Sequence, residues 1–261
     1  AVEIIVPMRR RGLDYTIIGG ETFSDAKNIL ALFNQYPEEK LTPGYFSDGI
    51  YGTAPLIYDI ADEEAQVFSQ AFQEAYGESP GWIAASYYDA ANMLVQALKE
   101  KNISGEKNNR AIERTLIRDY LSTQKDINSS TKGITGNLYF DRVGNAKTPI
   151  MVGLYDKQHF ISALTQFQPV DDLKRITNLD EAIKSGRVVI INGQYMYKTE
   201  IIYTGIDFNE VTKLDVKESV YTVDFYLWFR YDSQFDASNI EFINSTRALS
   251  LGEPFSSYVK D

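Results

Sequence analysis

Ile17-Ile18-Gly19-Gly20-Glu21-Thr22-Phe23 is the stretch whose reading decides the fold. A short apolar run breaks into two glycines and then presents a carboxylate and a hydroxyl. Glycine permits a sharp backbone course where a Cβ would clash. In an α/β protein, the carboxyl end of a strand is where ligands bind. Glu21 is therefore a candidate ligand contact, with Thr22 beside it. The competing reading is an ordinary glycine turn with a solvated carboxylate.

The chain has 261 residues, enough for one large domain or two ordinary ones. Hydrophobic residues are 44% and charged residues 24%, the balance of a globular chain with a sizeable core. A net charge of -10 argues against a nucleic-acid surface, which needs basic patches to displace counterions. The absence of cysteine removes disulfides, thiolate metal sites and cysteine nucleophiles together. No apolar run is long enough to span a membrane. The chain opens Ala1-Val2-Glu3, which does not read as a signal peptide, so a mature or trimmed piece of a longer protein is expected.

Residues 1–168 alternate between helical and strand-like segments. Met8-Arg9-Arg10-Arg11-Gly12 has the basic last turn and glycine of a helix end, although Pro7 conflicts with a regular helix there. Tyr15 to Ile18 reads as a short buried strand, Asp25 to Phe33 as a helix, and Asp48 to Ala54 as a second strand closed by Pro55. Asp62-Glu63-Glu64 supplies acidic residues for the start of a helix carrying Val67, Phe68, Ala71 and Phe72 and stopped by Gly77. Ile83 to Glu100 is a helix whose small apolar residues suggest close packing against a sheet. Arg110 to Ser122 is a third. Gly136 to Asp141 and Ile150 to Tyr155 read as strands. This alternation calls for an α/β fold with a layered sheet.

The character of the chain changes at Pro169. Residues 169–186 read as a linker with a short helix, capped by Asn178 and ended by Gly186. Residues 187–261 read as a smaller all-β, sandwich-like domain, with strands at 188–191, 195–207 and 219–231. In the last of these Tyr221, Val223, Phe225, Leu227, Phe229 and Tyr231 share one face. Tyr226 and Trp228 lie on the other and are the more plausible contact residues.

Catalytic chemistry finds little support. The chain's one histidine, His159, has no serine elbow and no cysteine to work with, and reads as a solvated turn residue. Asp59, Asp62, Glu63 and Glu64 could suggest a metal, but capping of the following helix explains them more simply. Gly19-Gly20 lacks the further glycines and lysine of a phosphate loop. The expectation is a non-enzyme with no metal and no cofactor.

Residues 1 to about 168 resemble the latter half of type I periplasmic solute-binding proteins, the branched-chain amino-acid receptors of ABC transporters. The resemblance is carried by Met8 to Gly12, Ile17 to Glu21 and Asp48 to Tyr51. It continues in Phe68-x-x-x-Phe72, Tyr76-Gly77-x-x-Pro80, Ala85-x-Tyr87-Tyr88-Asp89-Ala90 and Ile134-Thr135-Gly136-Asn137-Leu138-x-Phe140-Asp141-x-x-Gly144. It implies a two-lobed clamshell that closes on a small solute, outside the cytoplasm, in the periplasm or extracellular space. It also implies that Glu21 pairs with the ammonium group of an amino acid, through a charge-assisted hydrogen bond. A membrane permease or a receptor output domain would be the partner. The family's first half, with the loops that hold the ligand's carboxylate, has no counterpart here.

Ile201 to Asp207, Tyr221 to Tyr231 and Ile240 to Asn244 look like the opening strands of the extracellular β-sandwich of pentameric ligand-gated channels. That resemblance implies a multi-domain receptor. Its alternative is an interaction module whose aromatic tail docks another chain and whose α/β part no longer binds solute.

Overall fold

The structure, a computed structural model, describes residues 1–170, 172–232, 239–246, 249 and 251. The chain divides into two compact units, Ala1–Ala163 and Leu164–Asp261.

The first unit runs α1 (Val2–Arg10), β1 (Ile17–Ile18), α2 (Ala26–Phe33), α3 (Pro37–Leu41), β2 (Ile50–Ala54), α4 (Glu63–Tyr76), α5 (Trp82–Glu100) and α6 (Arg110–Leu121). It ends with β3 (Thr131–Gly133), β4 (Gly136–Phe140), β5 (Ala146–Lys147), β6 (Met151–Asp156) and β7 (His159–Ser162). Its main sheet has the order β1-β2-β6-β7, parallel between β1 and β2 and antiparallel thereafter. A smaller antiparallel sheet is built from β3, β4 and β5. The architecture is mixed α/β.

Two helices line one face of the main sheet because their apolar positions recur at helical spacing. Val2, Ile5 and Val6 of α1 and Ile29 and Phe33 of α2 are buried with Phe46, Ile50 and Tyr155 in one cluster. Asp25 caps α2 by accepting from the Asn28 amide. Helix α1 runs through Pro7, against the conflict read from sequence. An interior proline removes a backbone bond and costs about 3 kcal/mol. Here the carbonyl it deprives belongs to exposed Glu3, where water can reach it, and three buried side chains hold the helix down.

The expected buried strand at Tyr15 to Ile18 is two residues long, and Ile18 is 75% exposed. β1 is an edge strand. Period two turns Ile17 toward the core cluster and Ile18 to the opposite face. Helix α5 also departs from expectation in part. Ala85, Asp89, Met93 and Ala97, every fourth residue, form its buried side, which meets α6 and β3. The small residues Ala85 and Ala97 are thus buried as expected, with a strand of the smaller sheet beside the helix, but Ile83, Tyr87, Leu94 and Val95 remain exposed.

The turn between β6 and β7 is strained. Lys157 and Gln158 have φ of 49° and 66°, a conformation in which such two-residue turns favour asparagine or glycine. The Lys157 amide donates to Asp48 Oδ1 at 2.7 Å, and Gln158 Nε2 donates to Asn34 Oδ1 and Glu39 Oε1 at 3.0 Å each. Lys157→Asn is expected to raise stability by about 0.5 kcal/mol, because asparagine tolerates this backbone. Gln158→Gly is expected to lower it by about 1 kcal/mol through lost hydrogen bonds. Urea midpoints of the two variants should move in opposite directions; movement in the same direction would remove the side-chain anchor from the account.

The second unit contains β8 (Thr165–Pro169), α7 (Leu179–Lys184), β9 (Val188–Ile191), β10 (Gln194–Glu200), β11 (Tyr203–Asp215) and β12 (Val220–Arg230). β8, β10 and β9 form one antiparallel sheet, and β11 and β12 a two-stranded ribbon. The segment read as a linker is partly structural. Pro169 closes β8 opposite Met196, and the Val170 amide donates to Tyr195 O. Proline is tolerated at a strand end because no ladder donor is lost within the strand. Asp171 lies outside the described residues. Asn178 caps α7 by accepting from the Glu181 amide, and this helix belongs to the same compact unit as the strands.

The strand expected over Tyr195 to Asp207 breaks at Ile201–Ile202. The Ile201 amide still donates to Leu164 O, and the chain then leaves that sheet for the ribbon. Along β12, Val223, Phe225, Leu227 and Phe229 are partly covered, whereas Thr222, Asp224, Tyr226 and Trp228 are exposed, so the period of two is present. Residues 239–246 form no strand; Phe242 instead meets Phe225 edge-on, with ring centroids 6.0 Å apart.

Candidate ligand-binding site

The site is built from the end of β1. The Gly19 amide donates to Tyr51 O at 2.8 Å, extending the parallel pairing by one residue. The chain then enters a short 3₁₀ turn, Glu21–Ser24, after Gly20. The turn closes on itself: the Phe23 amide donates to Gly20 O at 2.9 Å and Ser24 Oγ donates to Glu21 O at 2.7 Å.

Two glycines let this turn lie flat on the sheet. A Cβ at Gly19 would overlap the Phe23 ring, and one at Gly52 of β2 would sit 3.2 Å from the backbone of Phe23 and Ser24. Phe23 packs against the core cluster. From β6, Tyr155 Oη donates to Phe23 O at 2.7 Å. Burial, aided by the Asp25 carboxylate, pushes the Tyr155 hydroxyl's pKa up, so it remains a donor.

Glu21 and Thr22 are exposed on this fixed turn. Among the described residues, no hydrogen bond or ion pair engages either side chain. A carboxylate held at a strand's carboxyl end and left unpaired can accept hydrogen bonds from a cationic group arriving from solvent.

The other residues singled out in the sequence fall elsewhere. His159 is exposed at the start of β7, opposite Asp156, and is a strand residue rather than a turn residue. The acidic residues after β2 disperse. Asp62 caps α4 by accepting from the Ala65 amide. Glu64 pairs with Lys132 at 2.8 Å, a contact that raises the lysine's pKa. Asp59, which helix capping was expected to explain, instead accepts from the Ser162 amide at 2.9 Å. No group of three or more possible metal ligands occurs among the described residues. Tyr226 and Trp228 are exposed on the ribbon of the second unit.

Three features escaped the sequence reading. Glu39 is fully buried and accepts from the Gly44 and Phe46 amides, Ser47 Oγ and Gln158 Nε2. Nothing in its surroundings in sequence signals this. Asp89 accepts from the Ile134 and Thr135 amides and from Thr135 Oγ1. It thereby joins two of the motifs quoted above, which was the signal available. Among the described residues, Tyr58 Oη and Trp82 Nε1 are buried without hydrogen-bond partners, and both residues pack against Leu56, Ala65 and Ala85. Burial and the charge of Asp89 push the Tyr58 pKa up. A surface depression of about 450 Å³, lined by Glu63, Tyr88, Asp89, Asn92 and Lys132 among others, includes neither Glu21 nor Thr22.

No protein-family model matches the sequence, and no curated protein sequence does. Among solved structures, the chain is similar to the branched-chain amino acid transporter substrate-binding protein LivJ from Streptococcus pneumoniae, in complex with isoleucine. Identity is 23% and the TM-score 0.46, over 61% of this chain and 39% of that one. A leucine-binding protein, LivK, from Thermotoga maritima aligns at 18% identity and a TM-score of 0.44, over 62% of this chain and 41% of that one. A solute-binding protein of an ABC transporter from R. palustris, in complex with benzoate, aligns at 15% identity and a TM-score of 0.39, over 61% and 45% of the two chains. The chain thus spans less than half the length of each. No helix among the described residues is long and apolar enough to cross a membrane.

Proposed function

We propose that the first unit is one lobe of an extracytoplasmic binding protein for a small solute bearing a cationic amine, an amino acid or related compound. Glu21 receives the ammonium group and Thr22 stands beside it. The observation that carries this reading is the unpaired carboxylate of Glu21 on a turn pinned to the sheet. The resemblance to amino-acid receptors supports it. Function would run by lobe closure, the ligand shifting an open–closed equilibrium, with a transport permease or a receptor output domain as partner.

The test is calorimetric titration of the full chain with L-leucine and with its amine-free analogue 4-methylpentanoate. Glu21→Ala should weaken L-leucine by at least about tenfold, the worth of a charged hydrogen bond, and leave the analogue unchanged. Equal affinity of the two proteins for L-leucine would take Glu21 out of the site.

A second reading draws on the ribbon. Ile206, Phe208 and Val211 of β11 and Tyr221 of β12 are exposed on a two-stranded ribbon, and an exposed apolar patch is a common mark of an interaction surface. On this reading the tail is an interaction module of a multi-domain receptor, as its resemblance to channel β-sandwich strands implies. Light scattering distinguishes it: a stable oligomer lost in Phe208→Ser supports the module, and a monomer at all concentrations rejects it.

A further inference from the structure

We propose that Tyr155 is the positioning residue of the candidate site: its hydroxyl sets where Glu21 stands. This rests on the reading of Glu21 as the ligand's ammonium acceptor and extends it to the opposite strand.

The observations converge on one short segment. Glu21 to Ser24 is a single 3₁₀ turn, too short to hold its own shape without outside support. Inside it, Ser24 Oγ ties off the carbonyl of Glu21. The next carbonyl along the turn with a side-chain donor is that of Phe23, and the donor comes from β6, 132 residues away in sequence. Tyr155 is itself fixed. It is fully buried, its carbonyl accepts from the Gly49 amide, and its ring meets Phe160 edge-on at 5.2 Å. Phe160 in turn stands within 3.3 Å of where a Cβ on Gly52 would be, on the strand β2 against which the turn lies. Tyr155 is thus a rigid arm, and among the described residues its hydroxyl bonds the Phe23 carbonyl, on the backbone that bears Glu21. Loss of the hydroxyl leaves the ring's packing intact and frees that carbonyl.

The test uses the full chain as wild type, Tyr155→Phe, Glu21→Ala and the double variant. Amide hydrogen exchange reports on the turn without any ligand, and titration with L-leucine and 4-methylpentanoate reports on the site. Tyr155→Phe should speed exchange at residues 21–25 while α2 and β2 stay protected. It should also weaken L-leucine about three- to tenfold. That loss should disappear in the Glu21→Ala background, and 4-methylpentanoate should be unaffected. A hydroxyl that serves folding alone would weaken L-leucine equally in both backgrounds, and that result overturns the proposal. Unchanged exchange at residues 21–25 overturns it too. If wild type binds neither probe while exchange still rises, the reading of Glu21 as a ligand residue fails, and the positioning role falls with it for that distinct reason.

Discussion

Glu39→Gln is expected to destabilise the first unit by about 3 kcal/mol, through buried donors left without acceptors. The side chain is completely enclosed, and among the described residues its oxygens accept from four donors. Oε2 accepts from the Phe46 amide at 2.6 Å. Oε1 accepts from the Gly44 amide at 3.1 Å, Ser47 Oγ at 2.6 Å and Gln158 Nε2 at 3.0 Å. Glutamine must place its NH₂ against one of these sets. On the Oε2 side it meets a backbone N–H that cannot turn away. On the Oε1 side the Ser47 hydroxyl can rotate, but the Gly44 amide cannot. Removing the charge recovers part of the desolvation cost of a buried carboxylate. Several charged hydrogen bonds, each worth about 1.5–3 kcal/mol, outweigh that recovery. For a unit of this size the melting midpoint should fall by roughly 6–12 °C. Amide exchange should quicken first across residues 42–49, the loop these bonds hold. A glutamine variant within 1 kcal/mol of wild type by urea denaturation would show that the loop stands without the carboxylate.

Asp89→Asn is expected to cost about 2–3 kcal/mol for the same class of reason. Asp89 sits mid-helix on α5, 2% exposed, with Oδ1 on the Ile134 amide at 2.6 Å. Oδ2 accepts from the Thr135 amide at 2.8 Å and Thr135 Oγ1 at 2.7 Å. Asparagine orphans one of two backbone amides whichever way it turns. The effect should be local, because Ile134 packs against Leu56, Ala65 and Ala85 and the β3–β4 hairpin would come away from that cluster. A methyl at Gly133 would press on the same carboxylate, about 2.6 Å from its carbon. Gly133→Ala should therefore destabilise as well, and the double variant should cost less than the sum of the two. Additive losses would mean that the two substitutions act on separate contacts.

Helices were legible in the sequence where apolar spacing and caps agreed, as at Asp62 and Asn178, whose side chains cap α4 and α7. Those signals act within four residues, so no distant part of the chain is needed to read them. Pro7 conflicts with a helix when propensity alone is judged, and only the structure shows that the deprived carbonyl belongs to an exposed residue, Glu3. The exposed stripe of α5 and the exposed Ile18 were misread for the opposite reason. Hydrophobicity states what a residue would gain by burial, not whether another element covers it.

The candidate site divides in the same way. The sequence by itself determined that a strand ends in two glycines and then presents a carboxylate, because glycine and charge are properties of the residues. It also determined the period of two along Val220–Arg230, since backbone geometry sets side-chain alternation. Only the tertiary structure decided that Glu21 is unpaired and that its turn lies on Gly52. Only it decided that the turn is pinned by Tyr155, and that Glu39 and Asp89 are buried acceptors rather than solvated acids. The turn on Gly52, the Tyr155 bond, the Asp89 bonds and the Gln158 bond to Glu39 are contacts between segments dozens of residues apart, whereas the other bonds to Glu39 come from the loop that follows it. A contact at that range is set by how layers pack, and no local pattern of residue types specifies it.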